Sequence, residues 1–263
     1  MRQFIEKKVK KIFNTCGFEI YRRGSRGVTM ADVLSHVSRL GFRPQTVIDV
    51  GAASGTFDLY ENFTDASHIL IEPLEEYEGS LKEILQKYKG EYVLAAAGSK
   101  LGTIVINVHP DLFGSSIFKE TEGSHVDGVS REVAVVTIDD LCSERNLRGP
   151  YLIKVDAQSA ELIVLDGARK TIEDTELIIL EVSLFQFHVN GPQFYDVVSY
   201  MKDLGFVVYD VFGGHNRPLD GALAQIDMMF VKENGQFRKH HFYATREQRK
   251  QLTKLLSSAR PKR

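Results

Sequence analysis

Three carboxylates stand where short apolar runs end: Asp49 in "TVIDV" (46–50), Glu72 in "HILIE" (68–72) and Asp156 in "YLIKVDA" (151–157). Behind the first lies a turn of small residues, Gly51-Ala52-Ala53-Ser54-Gly55. Gly51 and Gly55 can adopt φ > 0 and present bare amides. A helix expected to begin near Thr56 points its partial positive end at the same space, which suits a carboxylate or phosphate. An acid at the end of the second strand commonly holds both hydroxyls of an adenosine ribose, and Glu72 has that place. Two cofactors therefore fit. A dinucleotide calls for G-x-G-x-x-G, which Ala53 spoils, because the turn here is G-x-x-x-G. S-adenosylmethionine fits with its carboxylate on Gly51, Ser54 and Gly55, its positive charge near Asp49 and its ribose at Glu72. A tight strand-to-helix turn whose small residues only permit close packing also explains the stretch taken alone.

Positioning these groups requires a sheet. The runs 46–50, 68–72, "EYVLAAAG" (91–98), 151–157 and "TELIILEV" (175–182) are nearly continuous in apolar residues. Helical stretches are expected at 28–42, closed by Gly41, at 73–89 and at "AELIVLDGARKTI" (160–172). Buried strands alternating with helices indicate an α/β fold with a mainly parallel sheet and helices on both faces. "GTIVINVHP" (102–110) and "REVAVVTID" (131–139) read as strands with no helix between them. "GFVVYDVF" (205–212) and "QIDMMFVK" (225–232) are joined by twelve residues, too few for a parallel crossover, so they predict an antiparallel hairpin. Residues 2–13 and 245–258 read as basic helices.

The 263 residues, 43% hydrophobic and 26% charged, describe an ordinary globular chain. No run of 18 apolar residues predicts a membrane span, and no secretory signal is read at the start. Cys16 and Cys142 match no metal spacing and read as reduced thiols, which points to a cytoplasmic setting. The net charge of −2 hides an acidic body between basic ends. Residues 1–26 carry eight Lys/Arg against two acids, and 238–263 carry nine against one.

Several stretches occur in a fixed order: "VIDVGAASG" (47–55), "IEP" (71–73), "GSSIF" (114–118), "YLIKVDAQSAELIVLDGA" (151–168), "LEV" (180–182) and "IDMMFVK" (226–232). This series resembles the FkbM family of S-adenosylmethionine-dependent methyltransferases over about residues 44–233. The family form K-[IV]-D-x-[EQ]-G-x-E-x-x-V-L-x-G-A is met by Lys154, Asp156, Gln158, Glu161, Val164, Leu165, Gly167 and Ala168. Ser159 stands where the family usually has glycine, Ala53 where asparagine is common, and Ser99 where an acid is common. The resemblance implies a Rossmann-like class I methyltransferase, with a seven-stranded sheet whose last strand is antiparallel, and methyl transfer to oxygen. The expected layout is an N-terminal helical extension (1–43), a catalytic domain (44–233) and a basic helical tail (234–263).

An alcohol is a weak nucleophile, so a base near the ends of the fourth and fifth strands is expected. The candidates are Asp156, Glu181 and His188, with Asp156 also able to hold the cofactor's amino group. Ser115 and Ser116 could contact its adenine or tail. Asp156 with Glu181 could place a divalent ion, a reading no ligand spacing supports. The expected acceptor is a hydroxyl on a sugar or glycan, with a secondary metabolite second. The rivals are an RNA methyltransferase using the basic ends, which the acidic middle opposes, and an NAD-dependent oxidoreductase. The basic ends read as solvated helical faces or, more sharply, as peripheral contacts with an anionic inner-membrane surface or a lipid-linked glycan.

Overall fold

The computed structural model describes residues 28–258. The helix expected over 2–13 and Cys16 lie outside them. Seven strands form the central sheet: β1 (Thr46–Val50), β2 (Ser67–Glu72), β3 (Gly90–Leu94), β7 (Tyr151–Val155), β8 (Thr175–Ser183), β9 (Phe206–Asn216) and β10 (Leu223–Lys232), in the order β3-β2-β1-β7-β8-β10-β9. All neighbours from β3 to β8 pair in parallel, and β10 runs antiparallel between β8 and β9. The short connection does form a hairpin, as its length predicts. Its second strand inserts beside β8, and both strands extend beyond the expected ends.

β1 and β7 are buried at every residue, because helices cover both faces. One face packs against α1 (Met30–Arg39), α2 (Phe57–Asn62) and α3 (Glu78–Leu85), which follows a 3₁₀ turn at Glu75–Tyr77. α1 starts from a capping box: Thr29 Oγ1 accepts from Asp32 N–H and Asp32 Oδ2 accepts from Thr29 N–H, at 3.2 and 3.0 Å. Its Val33, Leu34 and Val37 are buried in the sheet's own core, each worth about 1.5–3 kcal/mol relative to exposure. The other face packs against α4 (Ile138–Glu144), α5 (Glu161–Asp166) and α6 (Phe194–Asp203).

Two expectations change. The run 91–98 is not one strand: β3 ends at Leu94, and β4 (Ala96–Ala97) belongs to a second sheet with β5 (Gly102–Val108) and β6 (Val129–Val136), in the order β4-β6-β5. The helix expected over 160–172 stops at Asp166, and a separate 3₁₀ turn follows at Thr171–Asp174. Just past the helix end, a side chain at Gly167 would meet the Gly98 carbonyl oxygen at 2.0 Å, so glycine is what allows this close approach to the second sheet. Beyond β10, a 3₁₀ turn (Gln236–Arg238) sets Phe237 against Phe42 and Tyr209, and α7 (Arg246–Ser258) ends the described chain. Among the described residues no helix is long and apolar enough to cross a membrane.

Candidate active site

A cavity of 420 Å³ opens at the carboxyl ends of β1, β2 and β7. The second sheet forms its far wall through Ile104, Ile106 and Val135, and Leu74, Tyr77 and Phe113 add apolar surface. Polar groups converge on it: Glu72, Asp156, Gln158 and Glu181 from the rim of the central sheet, and Ser115 and Ser116 from the segment after β5. An apolar cleft of this size with a few convergent polar groups, at the strand ends of a doubly wound sheet, is where such folds bind ligands.

Asp49 does not line this cavity. Its carboxylate is wholly buried beneath it. Tyr60 Oη donates to Asp49 Oδ2 at 2.5 Å and Thr56 Oγ1 to Oδ1 at 3.2 Å, while Lys154 Nζ lies 3.5 Å from Oδ1. Burial and the adjacent Asp49 charge push the Tyr60 hydroxyl far above its usual range, so it stays a donor. Asp49 is therefore the anchor of the turn, reached from outside only through its neighbours.

The amides expected to stand bare are occupied within the chain. Gly51 and Ala52 N–H donate to the Ile71 carbonyl, Ala53 N–H to Glu72 Oε2 at 2.9 Å, and Gly55 N–H to the Ala52 carbonyl. Gly51 (φ +70°) lines the cavity, yet what requires glycine there is β7, since a Cβ would meet the Asp156 carbonyl oxygen at 1.9 Å. Gly55 faces Ile84 and Phe57, away from the cavity, and Ser54 does not line it. The small residues thus let three strand ends and a helix start approach one another.

Glu72 is 4% exposed, and Leu74 N–H donates to its other oxygen at 3.0 Å. Burial raises its pKa, opposed by the two amide hydrogen bonds. The side chain is thereby fixed at the cavity's edge with lone pairs to spare. Asp156 receives Lys154 Nζ at 3.4 Å and Gln158 Nε2 at 3.2 Å, and its side chain remains 34% exposed. Burial alone would lower the Lys154 ammonium, but Asp156 and Asp49 outweigh it and raise it, so Lys154 is a permanent cation under the site.

Glu181 Oε2 accepts from Gln158 Nε2 at 3.1 Å and from Gln225 Nε2 at 2.8 Å. Burial, then Asp156 and Asp227, push its pKa well above the carboxylate range. Gln158 thus links it to Asp156, and both carboxyls line the cavity. His188 is not in the cavity. Its Nδ1 lies 2.9 Å from Ser159 Oγ, it is 6% exposed, and burial lowers its pKa. Ser159 sits at φ +77°, a conformation that favours glycine, and its hydroxyl ties the loop after β8 to the turn after β7. Glu161 closes that turn from below by accepting from Ala157 and Ser159 N–H, with burial raising its pKa to about 7.

The structure brings together Glu72, Gly51, Ser115, Ser116, Asp156 and Glu181, and leaves Asp49, Ser54, Gly55 and His188 outside. Ser116 Oγ donates to the Gln158 carbonyl at 2.7 Å, and Ser115 Oγ accepts from His109 N–H at 3.0 Å. Gln225, and His215 opposite it on β9, line the cavity and escape sequence reasoning, as does its apolar wall. A register shift between Gln225 and Asp227, with Gly213 and Gly214 both at positive φ, brings Gln225 and His215 there, and the consecutive glycines are the only signal in the sequence. Among the described residues no group of three or more His, Cys, Asp or Glu is arranged to hold a metal.

Matching solved structures include a candidate RNA methyltransferase from Pyrococcus horikoshii (17% identity, 80% of this chain and 86% of that one, TM-score 0.41). They also include 1,6-didemethyltoxoflavin-N1-methyltransferase from Burkholderia thailandensis (12%, 78% and 78%, 0.43). A third is magnesium protoporphyrin IX methyltransferase from Synechocystis PCC 6803 (11%, 77% and 77%, 0.43). A search of curated proteins finds no match. The family model for the methyltransferase FkbM domain matches residues 49–208, more than half of the chain, from the buried Asp49 through the Lys154–Ala168 segment to β9. With the mainly parallel seven-stranded sheet and its antiparallel β10, this match establishes that the chain belongs to the FkbM methyltransferase family and has the class I methyltransferase fold.

Proposed function

We propose that the protein transfers the methyl group of S-adenosylmethionine to a hydroxyl of a sugar or glycan, with a hydroxylated secondary metabolite as the second acceptor class. The observation that carries this reading is the 420 Å³ cavity, apolar on the side of the second sheet and lined by Glu72, Asp156 and Gln158 on the other. The residues present fit the cofactor. A flat apolar nucleobase suits the wall of Ile104, Ile106 and Tyr77. Glu72, held rigid by two backbone amides, suits a ribose diol, and Asp156 suits an ammonium group. Bound there, the cofactor supplies an electrophilic methyl group.

The chain contributes position and proton handling. Lys154 and Gln158 fix the Asp156 carboxylate from two sides. Glu181, held by Gln158 and Gln225, presents its carboxyl group to an acceptor hydroxyl in the cavity. Asp156, Glu181 and His215 are the cavity's candidates for receiving the acceptor's proton, a contribution of about two to four decades in rate. Alignment of the reactants in a closed cleft contributes more, about 7–11 kcal/mol of barrier. Asp49 and His188 act behind this set, as anchors of the turns that carry it.

The test is methyl uptake from S-adenosylmethionine labelled in its methyl group, across a panel of monosaccharides, glycans and hydroxylated polyketides, with products located by mass spectrometry. An O-methylated sugar supports the reading. Transfer only to nitrogen or carbon acceptors overturns its oxygen specificity.

A further inference from the structure

The segment after the last strand carries the most concentrated basic charge of the described chain. Lys239, Arg246, Arg249, Lys250 and Lys254 fall within sixteen residues and are all exposed, against one acid, Glu247. Phe242 and Tyr243 between them are 60% and 78% exposed, a large apolar surface to leave in water. Arg249 lies over the Tyr243 ring at 5.5 Å, and the His240 and Phe242 rings meet at a tilt with centroids 5.0 Å apart. Cations and aromatics thus form one patch.

α7 is built as a helix, and its described side chains lie on the surface. Thr245 and Gln248 form a reciprocal cap, Gln248 N–H donating to Thr245 Oγ1 at 3.3 Å and Thr245 N–H to Gln248 Oε1 at 2.9 Å. Every residue from Arg246 to Lys254 is nevertheless exposed, including Leu252 at 38%. A helical stretch whose described side chains, Arg246 to Lys254, all face solvent is marginal in water on its own and gains stability from a surface that covers one side. Arg246, Arg249, Lys250 and Lys254 recur at i, i+3, i+4 and i+8, on one side of the helix. In the sequence, Leu252, Leu255 and Leu256 recur at i, i+3 and i+4 on another.

We infer that residues 239–254 dock the enzyme on an anionic lipid surface. Basic residues on one stripe, leucines on another and an adjacent Phe-Tyr pair are the elements of a helix that lies in a membrane interface. Charge decides the partner. Residues 27–237 hold 32 acids against 16 bases, so a nucleic acid draped over the body meets repulsion, whereas a lipid plane engages the basic segment alone. The inference is independent of the acceptor and of the cofactor.

The test uses the full chain and vesicles of neutral phosphatidylcholine with or without phosphatidylglycerol. The protein holds no tryptophan, so Tyr243→Trp is a clean reporter. Its emission should shift to the blue, and the chain should co-sediment, with anionic vesicles only. Arg249→Gln with Lys250→Gln should weaken vesicle binding roughly 30-fold. Phe242→Ser should weaken it roughly tenfold. Both alter exposed residues, and thermal melting checks that they stay folded. The inference is overturned if anionic vesicles neither bind nor shift the reporter, or if the variants bind as the parent does. It is equally overturned if a single-stranded RNA 20-mer binds more tightly than the vesicles, or if the shift appears without lipid as the protein self-associates.

Discussion

Lys154 Nζ lies 3.5 Å from Asp49 Oδ1, and both side chains are almost completely buried under the floor of the cavity. The same ammonium reaches Asp156 at 3.4 Å, so one cation ties the hidden anchor of the first turn to the exposed carboxylate of the site. Removing one member of a buried pair leaves the other charge uncompensated. Lys154→Met should therefore cost about 3–5 kcal/mol of unfolding free energy, read from urea denaturation. Tyr60→Phe, which removes a donor to the same carboxylate, should cost about 1.5–3 kcal/mol. A Lys154→Met protein as stable as the parent would contradict this view of Asp49.

Ser159→Gly and Ser159→Ala should separate strain from hydrogen bonding. Both lose the bond to His188, but only glycine relaxes the positive φ, which costs other residues about 1–2 kcal/mol. The glycine variant should be more stable than the alanine variant by about 1 kcal/mol. Equal stability of the two would mean that the φ at this position carries no strain.

Asp227 gives a pH dependence. Burial, followed by repulsion from Asp156, raises its pKa to about 6, above the value near 3.9 of an unfolded chain. The native state therefore favours the protonated acid. Its stabilising contribution is complete below the unfolded value and is lost as pH rises through about 6. Asp227→Asn should be more stable than the parent at pH 8, by about 2 kcal/mol, and gain nothing at pH 4. Thermal melting at the two pH values checks this, and a gain at pH 4 as large as at pH 8 would contradict it.

For proton transfer, once an acceptor is in hand, Asp156→Asn, Glu181→Gln and His215→Gln should be compared at saturating cofactor. The residue that takes the proton should lose about two to four decades in turnover. His188→Ala should keep turnover within about tenfold while loosening the loop after β8, because its imidazole contacts Ser159 and not the cavity. Amide exchange at Val189 and Gly191 reads that loosening.

Much of this architecture is legible in the sequence. The buried strands β1, β7 and β8 announce themselves as continuous apolar runs, and the short link between the last two strands gives their antiparallel pairing. The second sheet is not legible, because "LAAAG" continues the apolar run while the backbone leaves one sheet at Leu94 and enters another at Ala96. That sheet supplies the apolar wall of the cavity, so the size of the site is hidden with it. Glu72 and Asp156 could be placed because a strand's end fixes its last side chain. Asp49 could not, since its register with Lys154 turns it into the covered face. Glycine spacing gave the turn's existence but not the use of its amides, which depends on how closely β2 and β7 approach. His215 and Gln225 reach the site through an irregularity of the β9–β10 ladder, which no periodicity reveals.

The most direct test is calorimetric titration of the folded protein with S-adenosylmethionine, with S-adenosylhomocysteine and NAD in parallel, repeated on Glu72→Ala. The account predicts one site for both adenosyl compounds, no heat from NAD, and affinity lowered by roughly 10- to 100-fold in the variant. Binding of NAD alone, or adenosyl affinity unchanged by the loss of Glu72, would contradict it.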